Sequence, residues 1–168
     1  PFERLPERPK NSLKADVAAA FTAAEVWTDP VKTRADVLRR AADLYEENSG
    51  EIFACLAREA GKTIMDCVGE LRDAVDFLRY YAQEAEALAA TPRGRFVCIS
   101  PWKFPWAIFT GQTAAARATG KAVLAKPAEQ TPRIAQIATR LLHQAGVPSS
   151  ALQLLLGGAQ VGAALTGS

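Results

Sequence analysis

Lys126 and Glu129, three positions apart, carry the most suggestive chemistry in this sequence. They follow Ala122-Val123-Leu124-Ala125, a short apolar run that reads as a buried strand, so both sit on the loop at a strand's carboxyl end. In an open parallel sheet, that is where ligands bind. A lysine ammonium donates to ribose hydroxyls or phosphate, and a carboxylate accepts two hydroxyl protons, so the pair could grip an adenosine ribose. An ordinary ion pair at the end of a strand is the alternative. Two more loops occupy equivalent places, Ser100–Pro105 after Arg95–Ile99 and Gly157–Gly162 after Leu152–Leu156. The glycines of the last loop could bring N–H groups near a phosphate or simply make a turn. Generic nucleotide signatures are missing. There is no Gly-x-Gly-x-x-Gly, and Gly120-Lys121 lacks the spaced upstream glycine and the following Ser or Thr of a phosphate-binding loop.

The thiols offer less. Cys55, Cys67 and Cys98 fit no Cys-x-x-Cys or zinc spacing, and His143 is the single histidine, so no metal site is expected. They read as reduced thiols in a cytoplasmic protein. Cys98 falls inside an expected strand, as a core thiol, and Cys55 and Cys67 are inert helix residues. No base is placed beside any of them, because His143 lies near a helix end and is expected to face solvent.

Elements must hold these loops in place, and 168 residues suffice for one domain. The chain is 49% hydrophobic and 23% charged, in the range of soluble globular domains with a sizeable core. Lys plus Arg number 20 against 18 Asp plus Glu, and a net +2 gives no electrostatic grip on nucleic acid or acidic lipid. No apolar stretch approaches the ~20 residues that span a bilayer. Pro1-Phe2-Glu3-Arg4-Leu5-Pro6 contains no apolar signal core, so export is not expected.

Prolines 1, 6 and 9 make residues 1–15 an expected extended arm. Residues 16–90 read as helical. Short helices are expected over Asp16–Trp27 and Val31–Asn48, and another carries Ile52, Phe53 and Leu56 to Gly61. The longest helix runs from Ile64 to Ala89 with Val68, Leu71, Val75, Leu78, Ala82, Ala85 and Leu88 on one stripe. The charges among them, Glu70, Arg72, Asp73, Arg79, Glu84 and Glu86, read as a solvated face. Residues 91–168 then alternate strand, helix, strand, helix, strand, with crossovers at Trp106–Thr119 and Pro132–Ala145 and a further helix over Val161–Leu165. Such crossovers imply parallel strands with right-handed connections. The fold class is therefore α/β: a partial Rossmann-like sheet of about three strands, preceded by a helical half.

Longer stretches are more specific. Ile99-Ser100-Pro101-Trp102-Lys103-Phe104-Pro105 and Lys126-Pro127-Ala128-Glu129-Gln130-Thr131-Pro132 resemble motifs of the aldehyde dehydrogenase superfamily. Arg58–Thr63, Ala74–Ala82 and Phe109-Thr110-Gly111-Gln112 narrow the resemblance to the glutamate-semialdehyde (pyrroline-5-carboxylate) dehydrogenase module of proline utilisation A proteins. The likeness covers nearly all of the chain after about residue 15. It implies NAD-dependent oxidation of an aldehyde to an acid, with thiolate attack on the aldehyde, hydride transfer to nicotinamide and hydrolytic release. It places Ile99, Ser100, Pro101 and Trp102 of the first loop, and Lys126, Pro127, Ala128 and Glu129 of the second, at the NAD site. There Glu129 would accept from the ribose hydroxyls and repel a 2′-phosphate, favouring NAD over NADP.

The departures are equally definite. Lys103 stands where the family usually carries an oxyanion-stabilising Asn. Leu156 replaces a proline before the glycines, and that loop is about one residue short. Thr166-Gly167-Ser168 echoes the start of the family's Gly-Ser-Thr motif but arrives too early to align. On this resemblance the pyrophosphate-facing helix, general-base Glu, nucleophilic Cys and oligomerisation arm lie outside these residues, so the chain alone is expected to be inactive. Catalytic residues are accordingly expected to be absent here. Two alternatives stand beside the incomplete enzyme: a non-catalytic nucleotide-binding or interaction module, and a chain that works with a separate polypeptide supplying the catalytic half. An open sheet edge also leads to an expectation of self-association or of a rearranged helical packing.

Overall fold

The computed structural model describes residues 10–88, 91, 92 and 94–167, with side chains from residue 15 onward. The expected arm at residues 1–9 and the terminal Ser168 lie outside the described residues. The described elements are α1 (Lys10–Ala23), α2 (Val31–Glu47), α3 (Ser49–Ala60), α4 (Ile64–Ala87), β1 (Arg95–Ile99), α5 (Ala107–Ala118), β2 (Ala122–Lys126), α6 (Pro132–Ala145), β3 (Leu152–Leu154) and α7 (Ala159–Thr166). The strands form one parallel sheet in the order β1-β2-β3. This is the α/β architecture with a helical N-terminal half expected from the sequence.

Local chemistry accounts for the element ends. Thr63 and Asp66 form a reciprocal capping box at the start of α4, with Asp66 N–H donating to Thr63 Oγ1 and Thr63 N–H to Asp66 Oδ2, both at 3.2 Å. The Thr63 hydroxyl, donating to Asp66 Oδ2 at 2.8 Å, and then the Thr63 N–H hold the Asp66 carboxyl below its ordinary range. Pro132 opens α6 and Gly146 closes it in a left-handed conformation.

The helix α1 departs from expectation at both ends, since residues 10–15 are helical and Ala24–Trp27 are not. Past Pro9 nothing covalent opposes a helix, whereas Glu25 and Trp27 are drawn out of one by tertiary bonds. Their N–H groups donate to the carbonyls of Ser150 and Gly120 at 3.0 and 2.8 Å.

Successive side chains of the central strand enter two different cores, as a sheet covered on both faces requires. Val123 and Ala125 face a large core shared with α2, α4, α5 and α6, along with Cys98 and Leu152. Ala122 and Leu124 face a smaller core with Val17 of α1 and Val161 and Leu165 of α7. The helical half thus packs against the crossover helices, and all of β2 is buried. On β1, Phe96 and Ile99 remain 42% exposed, so its outer edge is open among the described residues.

Two buried arginines tie residues 24–34 beneath the sheet. Arg34 donates to the carbonyls of Asp29 and Ala118, and Arg117 Nη1 donates to Ala151 O at 2.7 Å. The Arg117 guanidinium lies 5.1 Å from the Trp27 ring centroid. Burial, with the nearby Arg34 charge, pushes its pKa down to about 9.

Candidate functional site

The parallel register makes two of the loops neighbours. Ile99 pairs with Lys126, and Ser100 N–H donates to Lys126 O at 3.1 Å, so both chains leave the sheet side by side. Lys126 is 6% exposed and its Nζ donates to Pro127 O at 3.0 Å. Its stem passes Gly162 of α7, where an added Cβ would sit 3.8 Å from Lys126 Cδ and Cε. Burial lowers the Lys126 pKa, and Glu129 partly opposes that shift. The ammonium is therefore held by a main-chain carbonyl, and the simple strand-end ion pair does not form.

Glu129 is exposed, and its carboxylate rests over the backbone of Gly158, where any Cβ would overlap it. The third loop thus closes on the second at Gly158 and Gly162. Pro127 is buried and Ala128 half-buried, which fixes the turn carrying Glu129. On the first loop Ile99, Pro101, Trp102 and Lys103 are exposed, whereas Ser100 is 3% exposed with its Oγ unpartnered. The eight residues expected at a cofactor site therefore occupy two adjacent loops. The charged atoms of the second meet glycines of the third.

Carboxylates that the sequence reading placed elsewhere shape these loops from behind. Glu70 was expected on a solvated face, yet it is 3% exposed. Its Oε2 accepts from the N–H groups of Trp106 and Ala107 at 3.1 and 2.9 Å, at the start of α5. Its Oε1 lies 3.0 Å from Lys62 Nζ, an ion pair without hydrogen-bond alignment. The signal was present in the spacing, because Glu70 falls between Cys67 and Ala74 on the buried stripe of α4. Glu59 of α3 does the same for α6, accepting from the N–H groups of Arg133 and Ile134 at 2.8 Å each. Both crossover helices therefore begin against protein carboxylates. Their N-termini are closed to a phosphate, although such termini commonly bind one.

None of the thiols is poised for attack. Burial, with Glu59 adjacent, pushes Cys55 up to about 12. Burial pushes Cys98 up to about 11 and also raises Cys67. Thiolate is scarce at neutral pH in each case. His143, expected in solvent, is half-buried with Nδ1 2.9 Å from Val147 O, because the Gly146 turn folds that carbonyl back over the helix end. No cluster of three or more potential metal ligands occurs among the described residues. No described helix is long and apolar enough to cross a membrane. A groove of about 510 Å³ follows the open edge of β1, lined by Phe96, Ile99, Gln112 and Thr166 among others. It lies beside the strand and does not include Lys126 or Glu129.

This arrangement is matched elsewhere. The model of the aldehyde dehydrogenase family matches residues 1–168. The bifunctional protein PutA of Klebsiella aerogenes is 50% identical over 167 residues, covering 94% of this chain and 13% of that protein. The 1-pyrroline-5-carboxylate dehydrogenase of Anoxybacillus flavithermus is 38% identical over 178 residues, covering 95% of this chain and 34% of that protein. Among solved structures, a mutant of Bradyrhizobium japonicum proline utilization A superposes with a TM-score of 0.88 at 46% identity, covering 98% of this chain and 19% of that one. A NAD-dependent benzaldehyde dehydrogenase from Corynebacterium glutamicum gives 0.83 at 28% identity, covering 90% and 38%. The chain thus spans about a third or less of the length of the two sequence relatives.

Proposed function

The chain belongs to the aldehyde dehydrogenase family, and from that premise we propose that its first two loops form the adenosine side of an NAD site. The parent activity would be oxidation of glutamate semialdehyde to the acid. The observation that carries this reading is the exposed Glu129 carboxylate held over Gly158, beside the buried Lys126. Such a site fits the ribose by its donor set. Glu129 offers two acceptor oxygens to vicinal hydroxyls, Lys126 a cation, and Ser100 a buried hydroxyl with no protein partner. Ile99, Pro101 and Trp102 would supply the apolar wall, and Pro127 and Ala128 set the height of Glu129. The negative Glu129 would repel a 2′-phosphate, favouring NAD over NADP. When bound, NAD supplies the hydride acceptor for aldehyde oxidation.

These 168 residues on their own would bind the cofactor without oxidising an aldehyde. Their thiols are pushed toward the protonated form. Lys103 holds an exposed ammonium on a flexible stem where a fixed amide donor is expected. Losing one preorganised oxyanion donor costs ~10²–10³ in rate. Lys103 is also what favours the second reading, a nucleotide-binding or interaction module that has kept the fold without the reaction.

The test is a calorimetric titration of the chain with NAD at neutral pH, repeated with Glu129→Ala. Hydrogen bonds to a charged partner contribute about 1.5–3 kcal/mol, so the substitution is expected to weaken binding by roughly 10- to 100-fold. A folded chain that shows no saturable heat with NAD sinks the proposal. If NAD binds, turnover with an aldehyde separates the two readings, because the module reading allows none even when a separate catalytic half is supplied.

The open β1 edge further leads us to propose self-association, since Phe96 and Ile99 flank unpaired strand backbone. Size-exclusion chromatography with light scattering is expected to show species larger than 18.0 kDa, growing with concentration. A concentration-independent monomer rejects this.

A further inference from the structure

The first loop leaves β1 through Ser100 and must enter α5 at a fixed angle to present Trp102 and Lys103. Helices commonly fix that entry with a Ser, Thr, Asp or Asn whose side chain takes the first free N–H groups. Here the chain offers Pro105 and Trp106, and Trp106 makes no side-chain capping bond. The N–H groups of Trp106 and Ala107 are buried and would be costly to leave unpaired. They are taken by Glu70, more than thirty residues earlier, on α4. The other oxygen of that carboxylate pairs with Lys62, whose ammonium lies 4.4 Å from the ring centroid of Phe104, back on the same loop. The loop is therefore held at two points, the start of α5 into which it runs by Glu70 and its own Phe104 ring by Lys62. The two grips share one carboxylate.

We propose that Glu70 is a positioning residue for the cofactor loop, setting the course of Ser100–Pro105 through the α5 amides and through Lys62. This rests on the reading that the loop faces NAD. An interchangeable structural cap would need only an acceptor oxygen and would leave Phe104 alone; the shared ion pair is what makes Glu70 specific to this loop.

Two readouts test it, with Glu70→Ala, Glu70→Gln and Lys62→Met each confirmed folded by circular dichroism. The first is amide hydrogen exchange, which needs no ligand. Glu70→Ala is expected to speed exchange at Trp106, Ala107 and Ile108, whose N–H donates to the Phe104 carbonyl at 3.2 Å, by about tenfold or more while α2 and α6 keep their protection. Glu70→Gln keeps an oxygen for the two amides, so Trp106 and Ala107 stay protected, whereas Ile108, bonded to the Phe104 carbonyl, loosens as it does in Lys62→Met. The second is NAD affinity, expected to fall about tenfold in Glu70→Ala and about threefold in the other two. Unchanged exchange at Trp106, Ala107 and Ile108 in Glu70→Ala, or acceleration spread evenly over the molecule, overturns the proposal. If the unsubstituted chain binds no NAD, the site reading fails on its own, and the exchange pattern still decides the role of Glu70. Should NAD bind and the loop loosen without loss of affinity in Glu70→Ala, Glu70 orders the loop but does not position it for the cofactor, and the proposal falls.

Discussion

Replacing Gly120 by alanine is expected to lower the unfolding free energy by about 2–4 kcal/mol, an amount large against a typical stability of ~5–15 kcal/mol. Gly120 turns the chain from α5 into β2 at φ +79°, a conformation that disfavours a side chain. Space is the second obstacle. An added Cβ would sit 2.9 Å from the Trp27 carbonyl oxygen and 3.0 Å from Pro92 Cγ. The Trp27 backbone cannot move cheaply, because its N–H donates at 2.8 Å to the Gly120 carbonyl itself and its ring is buried against Arg117. Pushing that backbone away would break the bond and unseat the ring together. A control lies in α4, where Gly69 is exposed and an added Cβ meets nothing within 4 Å. Gly69→Ala is therefore expected to raise stability by roughly 0.5–1 kcal/mol through the lower entropy of the unfolded chain. Urea denaturation followed by circular dichroism measures both, and a Gly120→Ala midpoint at or above that of the parent contradicts the argument.

Gly158→Val is expected to remove NAD binding to a greater extent than Glu129→Ala, by more than ~100-fold, while leaving stability nearly unchanged. The backbone of Gly158, φ −82° and ψ −157°, is one any residue adopts, so no conformational strain arises. The obstacle is the Glu129 carboxylate, which occupies the space a Cβ would take. Because Glu129 is exposed and its side chain is flexible, it can swing away at small cost to folding. Its acceptor atoms then no longer point where a ribose could meet them, and two added methyl groups fill the space. Calorimetry with NAD beside thermal unfolding reads the two effects separately. Retained NAD affinity in Gly158→Val would mean that the Glu129–Gly158 contact has no part in binding, and the site would have to be sought elsewhere on the sheet.

The parts of the fold that could be read without coordinates are those set by near neighbours in the chain. The strand Arg95–Ile99 and helix Pro132–Ala145 run as the sequence leads one to expect, the second between a first-turn proline and a terminating glycine. The parallel order follows from crossover length. Reading the first helix required knowing that Glu25 and Trp27 would find carbonyls at Ser150 and Gly120, partners about a hundred residues away. No periodicity reports such bonds. His143 escaped solvent for a shorter-range reason, the return of the Val147 carbonyl over its own helix end.

At the proposed site, the residue types of Lys126 and Glu129 and their place after a strand raised a ribose grip beside an ordinary ion pair, and only the longer family-like words favoured the first. What the pair does with its charges was decided by packing. Lys126 is turned into Pro127 and against Gly162, and Glu129 rests above Gly158, so the two interact through space without a direct ion pair. Glu70 and Glu59 mark the same division. Their acidity is written in the chain, but a carboxylate on a helix is ordinarily solvated, and only the docking of α4 on α5 and of α3 on α6 brings unpaired amides to them. Sequence alone determined most of the elements, the parallel sense of the strands and the family, because those depend on local pattern and on words of several residues. Tertiary structure alone decided which charges are buried and which amides they satisfy, because a hydrogen bond depends on distance in space, which residue spacing along the chain does not specify.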